Sequence, residues 1–353
     1  MNRRDFLRLS LATSALAVAT ASAAPASGIT PAHLPRWRGF NLLEKFVAET
    51  KKKFVETDFA WMQEWGFDFV RLPLDYRCWA KQTDWLTIDD AELKDIDEAV
   101  AFGKKYGVHV NISFHRAPGF SVNQIVKEPA SLWDSEDAQA AFALHWRTFA
   151  NRYKGVPNTR VSFNLVNEPD TVPEEKYVRA ATRAIEAIRA EDPNRLIIAD
   201  GLMWARLPVK SLVPLHVAQS TRGYEPMRIS HYHANWIGGA DKWETPNWPL
   251  KVGDDVFDKE RLRKAFAPWK AIEEQGTGVH VGEWGAHNQT PHDVVLAWMQ
   301  DCLDLWKDAG WGWALWNLRG SFGVVDSGRT DAQYEDFQGH KLDRKMLELL
   351  QSN

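Results

Sequence analysis

Short apolar runs alternate with longer amphipathic stretches from residue 36 to residue 353. This alternation is typical of parallel β/α units, in which a buried strand is followed by a helix that packs on the sheet. The runs that fit buried strands cover residues 37–43, 67–75, 108–116, 161–169, 195–202, 227–233, 279–285 and 311–318. Eight units of this kind close a barrel, so the pattern predicts a single-domain (β/α)8 TIM barrel of the α/β class over residues 36–353.

The stretches between these runs carry helix signals. Phe142, Trp146, Phe149 and Tyr153 recur at helical spacing, which places them on one apolar face. An open doubly wound sheet is the alternative architecture, and it would need a glycine-rich phosphate loop after its first strand. The residues at that point read EKFVAETKKK, which favours the barrel.

The first 24 residues predict a twin-arginine export signal. Arg3 and Arg4 precede a moderately apolar run, and the small residues Ala21-Ser22-Ala23 follow it. The run is too short and too rich in Ala, Thr and Ser for an anchoring helix, and no cysteine there could carry a lipid. We therefore expect a periplasmic or secreted protein without a membrane anchor in its mature form. Residues 25–35 are expected to form a short Ala/Pro/Ser tether.

Charge and cysteine content narrow the class of protein. The formal net charge is -4, and no basic stripe of the kind that binds nucleic acid is present. Cys78 follows the second predicted strand, whereas Cys302 falls on the apolar stripe of a helix after the seventh. Because those units are not neighbours around a ring of eight, we expect both thiols to be unpaired.

Tryptophan is unusually frequent, with 18 residues. Several of them follow predicted strands, where a barrel contacts its substrate. Since flat aromatic faces stack on sugar rings, we expect sugar platforms over the barrel mouth, with candidates at Trp79, Trp204, Trp236, Trp243 and Trp248.

Two glutamates stand at predicted strand ends, Glu168 in the fourth strand and Glu283 in the seventh. Active sites of barrels lie at the carboxyl ends of the strands. Cleavage of a glycosidic bond needs one carboxyl group that protonates the leaving oxygen and a second that meets the anomeric carbon. Either glutamate alone would fit an ordinary helix-start or loop acid. Together they predict a glycosidase.

The segments VRLP, SFHR, NLVNEP, ISHYH, VGEWG and WALWN, taken in this order, resemble glycoside hydrolase family 5, and the resemblance spans the chain from Arg38 onward. It implies a retaining enzyme for β-linked glycans, with Glu168 as acid/base, Glu283 as nucleophile and no cofactor. A polysaccharide or oligosaccharide is the implied substrate, β-1,4-glucan first. A β-mannanase or an exo-acting β-glucosidase or glucanase on the same site is the alternative.

The resemblance also implies roles for neighbouring residues. Asn167 would hold the sugar 2-hydroxyl, and Trp316 would form the stacking platform. Arg71 and His115 would line the nucleophile side, and His231 would lie near the acid/base. Arg71 would favour the ionised nucleophile, with an ion pair to Asp75 as its structural alternative. The two carboxyl groups of a retaining pair lie about 5 to 5.5 Å apart.

At strand six the sequence departs from the family pattern, which is His, any residue, then an aromatic whose hydroxyl touches the nucleophile. With that strand placed at 227–233, the third position is His233, and Tyr232 comes one residue early. A shift of one residue on a strand turns a side chain to the other face. His233 is therefore one candidate for this contact, and another residue is the alternative.

Two other classes of function compete. A metal hydrolase is suggested by His231 and His233, spaced as a possible chelate, together with His115. The flanking motifs supply tryptophan and asparagine rather than further ligands, so no metal is expected. A catalytically silent carbohydrate-binding barrel is the second class, and the presence of both glutamates argues against it.

Overall fold

Eight parallel strands form a closed barrel in the computed structural model, which describes residues 28–122 and 127–353. The strands are β1 (Arg38–Asn41), β2 (Phe69–Asp75), β3 (His109–Ala117), β4 (Val161–Asn164), β5 (Ile197–Asp200), β6 (Ala218–Gly223), β7 (Val279–Trp284) and β8 (Gly312–Leu315). Each strand pairs in parallel with the next, and β8 pairs with β1. The closure confirms the predicted (β/α)8 barrel.

The prediction of the sixth strand at residues 227–233 is wrong. Strand β6 is the polar run AQSTRG at 218–223, and the predicted segment begins with the short helix Met227–Ser230. All six residues of β6 are buried, and their polar groups are satisfied inside the barrel wall. The Gln219 amide, for example, donates to the Val209 carbonyl and accepts from its amide. Polarity alone therefore concealed a buried strand.

The helices are α1 (Glu56–Glu64), α2 (Asp90–Tyr106), α3 (Glu136–Arg152), α4 (Glu174–Glu191), α5 (Lys259–Glu273), α6 (His292–Ala309) and α7 (Arg344–Gln351). Shorter helical turns are Ala48–Thr50, Tyr76–Cys78, Leu202–Ala205, Lys210–Leu215, Met227–Ser230 and Ala240–Lys242. Strand Phe120–Ser121 pairs antiparallel with the end of β3. Three hairpins pair Ala80–Lys81 with Asp84–Ile88, Leu250–Val252 with Asp255–Phe257, and Glu335–Phe337 with His340–Leu342. Within residues 28–122 and 127–353, no helix combines the length and apolarity of a bilayer span.

The predicted apolar face of α3 packs on the barrel. Phe142, Trp146 and Phe149 are buried, and Trp146 stacks on Phe114 of β3 at a centroid distance of 4.1 Å. Gly107 ends α2 in a left-handed conformation with φ 72°, which glycine adopts without steric cost. The hydrophobic pattern thus predicts correctly which face of α3 packs on the barrel.

The amino-terminal end of the barrel is covered by residues before β1. Ile29 and Leu34 pack against a small apolar cluster that contains Trp37 and Phe69. The Pro31 carbonyl accepts a hydrogen bond from the Gly278 amide at 2.7 Å. The described part of the expected tether therefore lies against the barrel. The expected export signal lies outside the described residues.

Both cysteines are buried and carry free thiols, in agreement with the expectation from their placement. Cys78 lies in the turn after β2 and Cys302 lies in α6.

Candidate active site

Glu283 is anchored at the carboxyl end of β7. Its Oε1 atom lies 2.6 Å from Nη1 of Arg71, which comes from β2 on another wall of the barrel. Its Oε2 atom accepts a hydrogen bond from the Tyr224 hydroxyl at 3.2 Å. The residue is only 3% exposed, so these contacts fix the carboxylate in a site with little water.

Arg71 is the hub beside this carboxylate. Its guanidinium donates to the amide oxygens of Asn41 at 3.1 Å, Asn164 at 3.0 Å and Asn167 at 2.8 Å. Asp75, its alternative partner, is instead paired with Arg77 and Arg116. Arg71 therefore forms its ion pair with Glu283 and not with Asp75.

Glu168 follows β4 in a loop and has a different environment. Its backbone is left-handed at φ 47°, and its amide donates to Oδ2 of Asp200 at 2.9 Å. Its Oε1 atom accepts from Nε of Arg222 at 2.8 Å. Burial, together with the charge of Glu283, raises the pKa of Glu168 to about 7, although Arg222 opposes the shift. Below that pH the group carries a proton that it can donate.

Asn167 bridges the two arginines that contact the glutamates. Its amide oxygen accepts from Arg71 and from Arg222, each at 2.8 Å. Its amide nitrogen is buried and has no acceptor among the described residues. A buried donor without a partner is costly, so this group is free to bind a substrate hydroxyl.

Tyr224 and Arg222 are the site residues that sequence reasoning missed. Placing strand six at residues 218–223 puts the family's three-residue pattern on Arg222, Gly223 and Tyr224. Tyr224 supplies the hydroxyl that contacts Glu283, and an arginine stands where the pattern has a histidine. His233 does not fill this role, because it is exposed and its ring stacks on Tyr232 at 4.0 Å. The signal that could have revealed this site in the sequence is the tripeptide Arg222-Gly223-Tyr224, whose tyrosine stands at the third position of the family pattern.

His115 and Trp316 lie together at the barrel mouth. Their rings stack at a centroid distance of 5.6 Å, and Phe46 contacts both rings edge-on. Burial, aided by Arg116 and Arg71, lowers the pKa of His115 well below its ordinary value, so the imidazole is neutral. Trp316 is partly exposed, which leaves part of its surface open to a ligand.

His231 packs against Tyr224. Its Nδ1 atom lies 2.8 Å from Oγ of Ser230, and its ring contacts Tyr224 edge-on at 5.0 Å. Burial lowers the pKa of His231 to about 4. Trp236, which is 56% exposed, packs on the outer side of His231 at 6.1 Å.

The tryptophans expected to form sugar platforms divide into two groups. Trp79 is buried between Phe114 and Phe149 and donates to His145, so it belongs to the core and cannot stack on a sugar. Trp248 is held against α6 by a hydrogen bond to Asp301 at 2.8 Å. Faces at least partly open to solvent remain at Trp204, Trp236, Trp243 and Trp248.

The donors expected of a metal hydrolase do not converge. Across the ranges that the structure describes, no three His, Cys, Asp or Glu side chains form a group that could hold a metal ion. His231 bonds to Ser230, whereas His233 points to solvent. The donor set therefore does not fit zinc.

Paired glutamates at the mouth of a parallel barrel, held by arginine and tyrosine, define the class of barrel glycosidases. The family model for cellulases, glycosyl hydrolase family 5, matches residues 28–321, and the chain belongs to this family. It is therefore an O-glycosyl hydrolase of a retaining family.

Relatives and solved structures agree. Cellodextrinase A of Ruminococcus flavefaciens is 27% identical over 266 residues, which cover 72% of this chain and 76% of the relative. Endoglucanase C of Acetivibrio thermocellus is 24% identical over 315 residues, covering 80% and 90%. A crystal structure of a glycoside hydrolase is 37% identical, covers 90% of this chain and 99% of that one, and superposes with a TM-score of 0.86. Thermotoga maritima Cel5A, in complex with mannotriose, shares the fold with a TM-score of 0.73 at 23% identity, covering 89% of this chain and 97% of that one.

Proposed function

We propose that this enzyme hydrolyses β-1,4-glucan chains with Glu168 as the acid/base and Glu283 as the nucleophile. The observation that carries the proposal is the contrast between the two carboxyl groups. Glu283 accepts hydrogen bonds from Arg71 at 2.6 Å and from Tyr224 at 3.2 Å. Glu168 has a pKa raised by burial to about 7 and retains its proton in mildly acid solution. Two carboxyl groups in different environments can divide the acid and nucleophile roles.

The reaction would proceed in two displacements. Glu168 donates its proton to the glycosidic oxygen as that bond breaks, and a Glu283 oxygen bonds to the anomeric carbon. Glu168, now a carboxylate, takes a proton from water as the water oxygen attacks the same carbon. The bond to Glu283 breaks, both carboxyl groups return to their first state, and the sugar keeps its anomeric configuration.

The leaving-group side would be bounded by Trp204. Three consecutive left-handed residues, Met203, Trp204 and Ala205, form a turn after β5, and such conformations are costly for residues other than glycine. The Trp204 amide donates to the carbonyl of Pro169, the residue after Glu168, at 3.0 Å. The turn thus presents a ring that is 38% exposed beside the proton donor. We assign it to the sugar that departs, and we assign Trp316 and Trp236 to sugars on the nucleophile side.

The names of the relatives support glucan as the substrate, since they include endoglucanases and a cellodextrinase. The mannotriose complex of the Thermotoga protein keeps β-mannan as the second candidate. A product profile on pure β-1,4-glucan, β-1,3-glucan, β-mannan and xylan tests the choice. Release of cello-oligosaccharides supports it, whereas cleavage of mannan or xylan alone would replace it.

We also propose that the protein is exported through its twin-arginine head, Arg3-Arg4. Export places a polysaccharide hydrolase where its substrate is found. The test is cell fractionation of the wild type and of a variant with Arg3→Lys and Arg4→Lys. Activity outside the cytoplasm in the wild type, and its retention in the cytoplasm in the variant, is the expected result. Equal export of both proteins would refute the assignment.

A further inference from the structure

Arg222 links groups that the reaction must coordinate. Its side chain leaves the end of β6 and is 2% exposed. Nε donates to Oε1 of Glu168 at 2.8 Å, and Nη2 lies 3.4 Å from Oε1 of Glu283. The same Nη2 atom also donates to Asn167 and to Asp200. One guanidinium therefore contacts both glutamates of the proposed pair.

Asp200 holds this guanidinium in place. The residue ends β5, is fully buried, and accepts from three donors: the Asn164 amide, the Glu168 backbone amide and Arg222. These three hydrogen bonds engage both oxygens of the carboxyl group. Asp200 thus fixes both the backbone of Glu168 and the cation that contacts its side chain.

The packing around Arg222 leaves it little freedom. Its Nη1 atom donates to Oγ of Ser220 at 3.1 Å and to the carbonyl of Thr221 at 3.2 Å. A Cβ atom on Gly282, the residue before Glu283, would lie 2.4 Å from Oγ of Ser220 and 3.0 Å from Nη1 of Arg222. The absent side chain at 282 therefore makes room for the guanidinium.

The charges in this cluster balance in a particular state. Its cations are Arg71 and Arg222, and its carboxyl groups are Asp200, Glu168 and Glu283. With Glu168 protonated, two carboxylates face two cations. After the first displacement Glu283 is an ester and Glu168 is a carboxylate, so two carboxylates again face two cations. Net charge in a buried site is costly, and this arrangement avoids it in both states.

We propose that Arg222, fixed by Asp200, is a positioning residue that stabilises the negative charge on Glu283 before bond cleavage and on Glu168 after it. This inference rests on the proposed catalytic pair. As the proton leaves Glu168 for the glycosidic oxygen and the Glu283 electron pair forms the new bond, charge passes from one carboxyl group to the other. Both groups already contact the same guanidinium, so the passage requires no movement of a counter-ion.

The proposal makes opposite predictions for two substitutions. Arg222→Gln removes a positive charge beside Glu168 and should raise its pKa, which moves the basic limb of the kcat/KM profile to higher pH by about one unit or more. Asp200→Asn leaves Arg222 uncompensated, should lower the pKa of Glu168, and moves the limb to lower pH. A cello-oligosaccharide is the appropriate substrate, because its sugar leaving group needs a proton.

Controls separate charge from packing. Arg222→Lys keeps the positive charge but loses the planar set of guanidinium donors. The basic limb of the kcat/KM profile should therefore stay near its wild-type position while kcat falls. The double variant with Arg222→Gln and Asp200→Asn restores the charge balance and should return the limb toward that of the wild type. Thermal unfolding establishes that each variant is folded. Arg71 and Glu283 of the cluster are unchanged in all variants. The titratable groups that face the cluster are also unchanged, and they are Tyr224, Tyr177, His115 and His280.

Limbs that move in the same direction in both single variants, or that do not move, would overturn the inference. Wild-type levels of activity in Glu168→Ala and Glu283→Ala would instead overturn the proposed catalytic pair. A wild type that depends on both glutamates, with folded Arg222 and Asp200 variants that keep its profile, would reject only the role of Arg222.

Discussion

The hydroxyl of Tyr224 donates a hydrogen bond to Oε2 of Glu283 across 3.2 Å. Desolvation and the nearby Glu283 carboxylate raise the pKa of Tyr224 well above its ordinary value, so the phenol keeps its proton and remains a donor. With Arg71 on the other carboxylate oxygen, the contact fixes the plane of the group that would attack the sugar.

Tyr224→Phe should lower kcat roughly 10- to 100-fold, because a hydrogen bond to Glu283, the proposed nucleophile, is lost. Stability should change little, since the ring remains. Steady-state kinetics on an aryl β-cellobioside measures the effect. His233→Ala is the matched control and should retain wild-type rates. A large loss in His233→Ala, with none in Tyr224→Phe, would assign the functional contact with Glu283 to His233 instead.

Glu283→Ala should prevent formation of the covalent intermediate, because no carboxylate remains to bond to the anomeric carbon. Added azide could enter the vacated space and give a glycosyl azide of inverted configuration. Glu168→Ala should instead accumulate the intermediate from a substrate with a good leaving group, and azide should give the retained product. Proton NMR of the products distinguishes these results. Exchanged stereochemistry would reverse the two roles.

Trp204→Ala and Trp79→Ala should affect different properties. Loss of the exposed Trp204 ring should raise KM for cello-oligosaccharides by about threefold to tenfold, the usual worth of an aromatic contact, with little change in stability. Loss of the buried Trp79 ring should lower the free energy of unfolding by about 3 to 5 kcal/mol. Urea unfolding and oligosaccharide kinetics on both variants test this. An unchanged KM in Trp204→Ala would remove it from the substrate contacts.

Glu44 should make stability depend on pH. Burial raises the pKa of its carboxyl group to about 7, and its Oε2 atom has no partner in the described ranges. Between the unfolded pKa of about 4.5 and pH 7 the folded state binds more protons, so this stabilising effect is present below about pH 4.5 and is lost as pH rises through 7. Asp58, Arg319 and Lys52 are the charged neighbours.

The free energy of unfolding of Glu44→Gln, relative to that of the wild type, should therefore be about 1 to 3 kcal/mol higher at pH 8 than at pH 5. Urea unfolding at the two pH values provides the measurement. Glu244→Gln, at an exposed position, should show no such gain. An equal difference between wild type and Glu44→Gln at both pH values would contradict the assignment.

The strands with apolar sequences could be predicted from the hydrophobic pattern, because a strand that is buried on both faces requires apolar residues. The ends of β4 and β7 were readable for the same reason, since Glu168 and Glu283 interrupt apolar runs at the points where a barrel exposes its site. The sequence by itself therefore determined the barrel class, and it singled out Glu168 and Glu283 as the candidate pair.

The remaining parts of the site depend on contacts between distant segments. Strand β6 is polar, and it is buried only because residues such as Val209 satisfy its side chains. The burial of Trp79 depends on how α3 packs over its loop, and no local pattern distinguishes it from the exposed Trp204. Arg222 acquires its place through Asp200, which comes from the neighbouring strand. Tertiary structure alone decided these features, because hydrogen bonding and exposure are properties of partners that sequence order does not place together.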